Sequence, residues 1–160
     1  MIIKTDRFGS FNTKDSKIID FPAGIPGFET LHKFIILEIK DTKPIYWLQA
    51  TEEKRVALPV IISFEVLDDY YIDIRQNELA ELYVDSKNDL LVLNVVTIPT
   101  EIEEMTVNLA APIVINAKRG IGKQIIIDAE ELPIRFPVYE AIRKKMKGGE
   151  ANAGTVKKNG

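Results

Sequence analysis

VNLAAPIVIN, residues Val107–Asn116, followed after a short basic turn by Gly122, Lys123 and Gln124, is the stretch whose reading decides the fold. It reads as buried strand, with Asn108 and Asn116 eight positions apart on the same side of a period-two pattern. A buried carboxamide must find partners for several donors and acceptors, so a strand carries two of them where the fold uses them to fix register or anchor a turn. Architecture is therefore the first expectation for Asn108, Pro112, Asn116 and Gln124, ahead of chemistry.

Working outward, short runs rich in Ile, Val and aromatics dominate. Strands are expected at Ile18–Phe21, Phe34–Ile39, Ile45–Ala50, Val56–Ile62, Tyr70–Ile74, Leu90–Ile98, Thr106–Leu109, Ile113–Asn116 and Gln124–Asp128. Turn residues separate them at Pro22–Gly27, Asp41–Pro44, Asp68–Asp69, Lys87–Asp89 and Lys118–Gly122. Closely spaced short strands argue for an all-β domain, a small antiparallel β-barrel whose closure removes unpaired edges. Helix signals are local: Asn77 caps a turn through Leu82, a second turn falls at Glu29–Lys33, and Pro137–Lys147 is a closing helix with Pro137 at its first position. The expectation is one domain over residues 1–147 and a disordered tail over 148–160, which is small, polar and poor in apolar anchors.

The chain has 160 residues, 46% of them hydrophobic and 28% charged, which suits a single sizeable core. It contains no cysteine, which excludes disulfides, thiolate metal sites and a Cys nucleophile and fits a reducing, cytoplasmic setting. No apolar run is long enough to span a bilayer, and the N-terminus lacks a secretory pattern. The net charge of −3 hides an asymmetry. Residues 1–117 carry 11 Lys and Arg against 19 Asp and Glu, whereas residues 118–160 carry 10 against 5. An acidic body repels phosphate backbones and favours basic protein partners.

Catalytic patterns are sparse. The lone His32 advertises no triad or metal partners, and no serine sits in a nucleophile elbow. Gly120–Lys123 reads GIGK, but Gln124 follows where a phosphate loop needs Ser or Thr, and a strand comes next instead of a helix. Adjacent acids such as Asp68 and Asp69 would point to opposite faces of a strand, so they form no dyad. Neither a cofactor nor a metal is expected. Two readings from the residues alone stay open beside a protein-binding role: a small-molecule enzyme with a barrel cavity using His32, Tyr70 or Tyr71, and a direct RNA binder acting through the basic end of the closing helix.

FPAGIPGFE at Phe21–Glu29 is a shaped loop. Pro22 and Pro26 fix two backbone angles, Gly24 and Gly27 free two others, and Phe21, Ile25 and Phe28 anchor it. It either lids one end of the barrel or presents Ile25 or Phe28 to a partner as an apolar hot spot.

Together with WLQA at Trp47–Ala50, which includes Gln49, and VNLAAPIVIN with its GKQ, this loop resembles the flagellar assembly factor FliW family over about Thr5 to Arg135. The resemblance implies a small cytoplasmic β-barrel-like protein without catalytic activity that binds flagellin and the RNA-binding regulator CsrA as alternative partners. The mechanism the resemblance implies is a partner switch, in which flagellin held by the protein would leave CsrA free to repress flagellin translation and export of flagellin would free the protein to bind CsrA. The residues expected to meet partners are Ile25, Phe28 and the acidic edge Asp68, Asp69 and Asp73, with no direct contact to nucleic acid or membrane.

Overall fold

The computed structural model describes residues 2–12, 17–127 and 132–146. Its strands are β1 (Ile2–Thr5), β2 (Gly9–Asn12), β3 (Ile19–Asp20), β4 (Lys33–Leu37), β5 (Ile45–Ala50), β6 (Ala57–Ile62), β7 (Leu90–Thr97), β8 (Thr106–Val107), β9 (Ile113–Asn116), β10 (Ile121–Gln124) and β11 (Phe136–Pro137). The helices are α1 (Ser63–Val66), α2 (Gln76–Glu81) and α3 (residues 139–146).

Seven strands close on themselves in the order β3, β4, β5, β6, β7, β9, β10. Every neighbour pair is antiparallel except β3 with β10, which run parallel and meet at Asp20 and Ile121. The eight-residue β7 organises the closure. One edge of it bonds β6; along the other edge β9 covers Leu90–Leu93 and β8 covers Val96–Thr97. The all-β barrel expected from the strand spacing is the fold observed.

Side-chain alternation fills this barrel from both sides of its wall. Phe34, Leu48, Val60, Leu93, Ile113 and Ile115 share one buried cluster with Phe21 and Ile25, drawn from around the closed ring. The opposite faces of β4 to β7 present Ile35, Leu37, Trp47, Ile61 and Val96, which pack under Ile3 of β1, Val66 of α1 and Val138 and Ile142 at α3. Burying two faces explains why these runs read as nearly continuous apolar sequence.

VNLAAPIVIN divides between two strands, as the expected strands at Thr106–Leu109 and Ile113–Asn116 imply, with the first ending at Val107. Leu93 and Val96 are three apart on β7, yet their partners Ile113 and Val107 are six apart, so three extra residues are pushed out of the ladder. Pro112 lacks an N–H to continue the ladder, and the Asn108 carboxamide oxygen takes the Ala110 N–H at 3.0 Å, an Asx turn that competes with strand pairing.

Other expectations are corrected. Tyr70–Ile74 forms no strand, because the barrel closes without it and Tyr70 is tied down by its side chain. The turn expected at Glu29–Lys33 is confined to Glu29 and Thr30, where the Leu31 N–H donates to the Phe28 carbonyl at 3.0 Å; the His32 and Lys33 N–H groups donate to the Glu52 carboxylate at 2.7 and 2.9 Å, and the chain enters β4. Helix α2 starts at Gln76 with Arg75 as its N-cap, so Asn77 lies inside it. Pro137 pairs with Thr106 in β11, and α3 begins two residues later. The last barrel strand, expected at Gln124–Asp128, runs from Ile121 to Gln124 and residues 125–127 are not strand, while Asp128 lies outside the described residues. The N-terminal hairpin β1–β2 is an element the sequence reading did not assign. The expected tail over 148–160 lies outside the described residues.

Candidate partner-binding groove

The barrel wall continues from β6 into α1 and then into the loop 67–71, and a buried polar network fixes that loop. The Ser63 hydroxyl donates to the Val92 carbonyl at 3.2 Å and meets the Asn94 carboxamide oxygen. The Asn94 amide donates to the Tyr70 hydroxyl at 3.3 Å and to the Asn108 carbonyl at 2.9 Å. Tyr70 in turn donates to the Leu109 carbonyl at 2.8 Å. Ser63 and Asn94 are fully buried, so these bonds form in a low-dielectric setting where satisfied networks are stiff. Burial pushes the Tyr70 phenol above its ordinary pKa, with the Asn94 bond acting in the opposite direction.

Pinning Tyr70 inward turns its neighbours outward. Asp68, Asp69 and Tyr71 line an open groove of about 600 Å³ together with Leu67, Leu109, Pro133, Phe136 and Ala141 of α3. Tyr71 is 78% exposed and Phe136 39% exposed. Asp68 and Asp69 are exposed, and among the described residues neither forms an ion pair. Solvated carboxylates beside uncovered aromatic rings can attract a cationic partner and then bury apolar surface against it.

The other sequence-expected residues fall elsewhere. Asp73 is exposed but does not line the groove. Ile25 is 2% exposed and packs into the barrel cluster, so its side chain anchors the Phe21–Glu29 loop and does not face outward. Phe28 is half-buried and forms a bridge with Ile25. Gly24 and Gly27 adopt φ of +68° and +90°, and a Cβ on Gly24 would lie 2.7 Å from the Glu29 Cα. Pro26 is exposed at the tip. The fully buried Gln49 amide donates to Ala50 at 2.9 Å and to the Glu53 and Lys54 carbonyls at 3.4 Å, holding the β5–β6 connection. Gln124 donates to the Ala111 carbonyl at 2.9 Å, and the Pro112 carbonyl accepts the Ile125 N–H at 2.9 Å, so both hold the extruded segment beside β9. Lys123 of the GIGK stretch pairs with Glu78 and Glu81 of α2 at 2.6 and 2.5 Å, a structural tether. His32 Nδ1 lies 3.1 Å from the Phe21 carbonyl.

Of the acidic edge expected at Asp68, Asp69 and Asp73, the first two line this groove, and its apolar lining was not anticipated. Phe136, Pro133 and Leu109 come from segments far from Asp68, and only an exposed aromatic beside a charge and a proline, RFP at Arg135–Pro137, hinted at surface use. Among the described residues no group of His, Asp and Glu could hold a metal ion, and no helix is long and apolar enough to cross a membrane.

The fold and groove define a small closed-barrel domain whose chemically distinctive surface is open, not enclosed. The chain belongs to the FliW family, the flagellar assembly factors: the profile described as FliW protein matches residues 2–138. It is 44% identical over 135 residues to the flagellar assembly factor FliW of Thermosipho africanus, covering 84% of this chain and 93% of that one. The FliW of Clostridium tetani is 37% identical over 144 residues, 90% of this chain and 99% of its own. A solved structure described as the crystal structure of the flagellar assembly factor FliW superposes with a TM-score of 0.78 at 28% identity, covering 86% of this chain and 96% of its own.

Proposed function

We propose that this protein acts in the cytoplasm as a non-catalytic regulator that binds flagellin and the RNA-binding repressor CsrA as alternative partners, relieving CsrA repression of flagellin translation once flagellin is exported. The observation that carries the reading is the groove, with the unpaired Asp68 and Asp69 set against the exposed rings of Tyr71 and Phe136. That combination suits a basic protein surface better than an RNA backbone, which the acidic rim repels. Its carboxylates, Asp68 and Asp69, are solvated, and its one buried titratable group, Tyr70, is held by the Leu109 carbonyl and the Asn94 amide, an arrangement that favours binding over turnover.

Calorimetric titration of the protein with CsrA, in the absence and presence of saturating flagellin, tests the reading. Binding that flagellin abolishes is the expected result. CsrA binding that persists unchanged contradicts the switch, and binding to neither partner contradicts the assignment of partners altogether.

A further inference from the structure

Asn116, singled out in the sequence, makes four hydrogen bonds from a side chain in a residue 2% exposed. Its amide donates to the Leu82 and Tyr83 carbonyls at 2.9 and 3.1 Å, and its oxygen accepts the Lys118 and Arg119 N–H groups at 3.1 and 3.2 Å. One carboxamide thus clamps the end of α2 to the turn between β9 and β10. Tyr83 is held there at φ +55°, a backbone conformation that L side chains rarely adopt and that a glycine would take at little cost. Yet its ring is not packed into the core: Tyr83 is 59% exposed, and the Arg119 guanidinium stands 5.5 Å from the ring centroid. Such stacking orients the guanidinium fork without neutralising it.

The same turn carries one more cation, Lys118, receives a third, Lys17, from the segment before β3, and borders an apolar pit. Lys17 reaches the Ala117 and Lys118 carbonyls, and among the described residues Lys17, Lys118 and Arg119 pair with no carboxylate. Ala117 and Gly120 form the lip of a pit of about 250 Å³ walled by Ile19, Ile36, Leu91 and Ile115. Small-molecule sites run to roughly 300–1,000 Å³ and close around their ligand, so this open, smaller pit suits a single inserted side chain.

We propose that this turn and pit form a second docking surface, for an acidic protein segment that carries a branched aliphatic side chain. Carboxylates of the segment pair with Arg119 and Lys118 while the aliphatic group enters the pit between Leu91 and Ile115. The surface is opposite in sign to the Asp68–Asp69 groove, so it extends the function proposed above and stands independently of the partners named there.

The test is a methyl and arginine side-chain NMR titration of the full chain with the peptide Glu-Glu-Leu-Glu-Glu as probe, alongside Glu-Glu-Ser-Glu-Glu, Lys-Lys-Leu-Lys-Lys and octanoate. Saturable shifts at the Ile19, Ile36, Leu91 and Ile115 methyls and at Arg119 are expected, about tenfold weaker without the leucine or in Arg119→Glu, and weakened by salt. Tyr83→Gly should fold at least as stably as the parent because it relieves the positive φ, while binding the probe about threefold or more weakly. Equal binding of octanoate or of the lysine peptide overturns the proposal. So do the absence of shifts at the pit methyls and probe affinity unchanged in Arg119→Glu or Tyr83→Gly.

Discussion

Asn116 uses every hydrogen-bonding position of its carboxamide on backbone groups of two segments, those around Leu82 and Arg119. Replacing it with the nearly isosteric Leu leaves those groups without their partner in a buried place. Asn116→Leu should therefore lose about 1–3 kcal/mol in urea denaturation, with the barrel still formed by far-UV circular dichroism. Gly24 is constrained differently. Its φ of +68° disfavours any Cβ, and the atom would also meet the Glu29 backbone at 2.7 Å, where no flexible side chain can give way. Gly24→Ala should cost about 1–3 kcal/mol by thermal or chemical denaturation, whereas the same change at Gly27, where a Cβ meets open space, should cost only the backbone strain.

At the scale of elements, the loop 67–71 has its shape because Tyr70 points in. Tyr70→Phe removes the hydroxyl that joins Asn94 to the Leu109 carbonyl and should cost about 1 kcal/mol at neutral pH while leaving the barrel closed. Burial raises the Tyr70 pKa above the ordinary phenol value of 10.0, so the folded chain holds this proton after the unfolded chain has begun to release it. The stabilisation is fully present below that unfolded value and declines as pH rises above it. Denaturation midpoints taken between neutral pH and pH values above 10 should thus fall more steeply for the parent than for Tyr70→Phe. This same loop shows what the sequence could not convey. The run Tyr70–Ile74 has strand composition, but a strand needs a neighbouring edge, and β7, β9 and β10 already complete the ring. Pro137 likewise carries the signal of a helix start, but β8 offers Thr106 for pairing first. By contrast the strands within Phe34–Ile39, Ile45–Ala50, Val56–Ile62 and Leu90–Ile98 were legible, since both faces of their wall are buried and their apolar runs are continuous. The break inside Val107–Asn116 was legible too, as the gap between the strands expected at Thr106–Leu109 and Ile113–Asn116, although the first of them ends at Val107.

Across the whole molecule, charge is sorted by position. The acidic body places Asp68 and Asp69 on the groove, while the turn after β9 carries Lys118 and Arg119. The counts along the chain conveyed that asymmetry; they could not convey that residues 109, 133 and 136 would complete the groove, because that proximity exists only after closure of the barrel. The loop at Phe21–Glu29 was equally legible as a shaped element, and the burial of Ile25 gives its side chain the role of an anchor. If the groove receives a basic partner, its rim charges act on the rate of encounter, over a range set by the ionic strength. The most direct measurement is stopped-flow association of CsrA with the parent and with the Asp68→Lys, Asp69→Lys double variant at low and moderate salt. The account predicts association about 3–10-fold slower for the variant at low salt, with a flatter salt dependence. Equal rates at low salt would contradict the assignment of the groove as the face that CsrA meets.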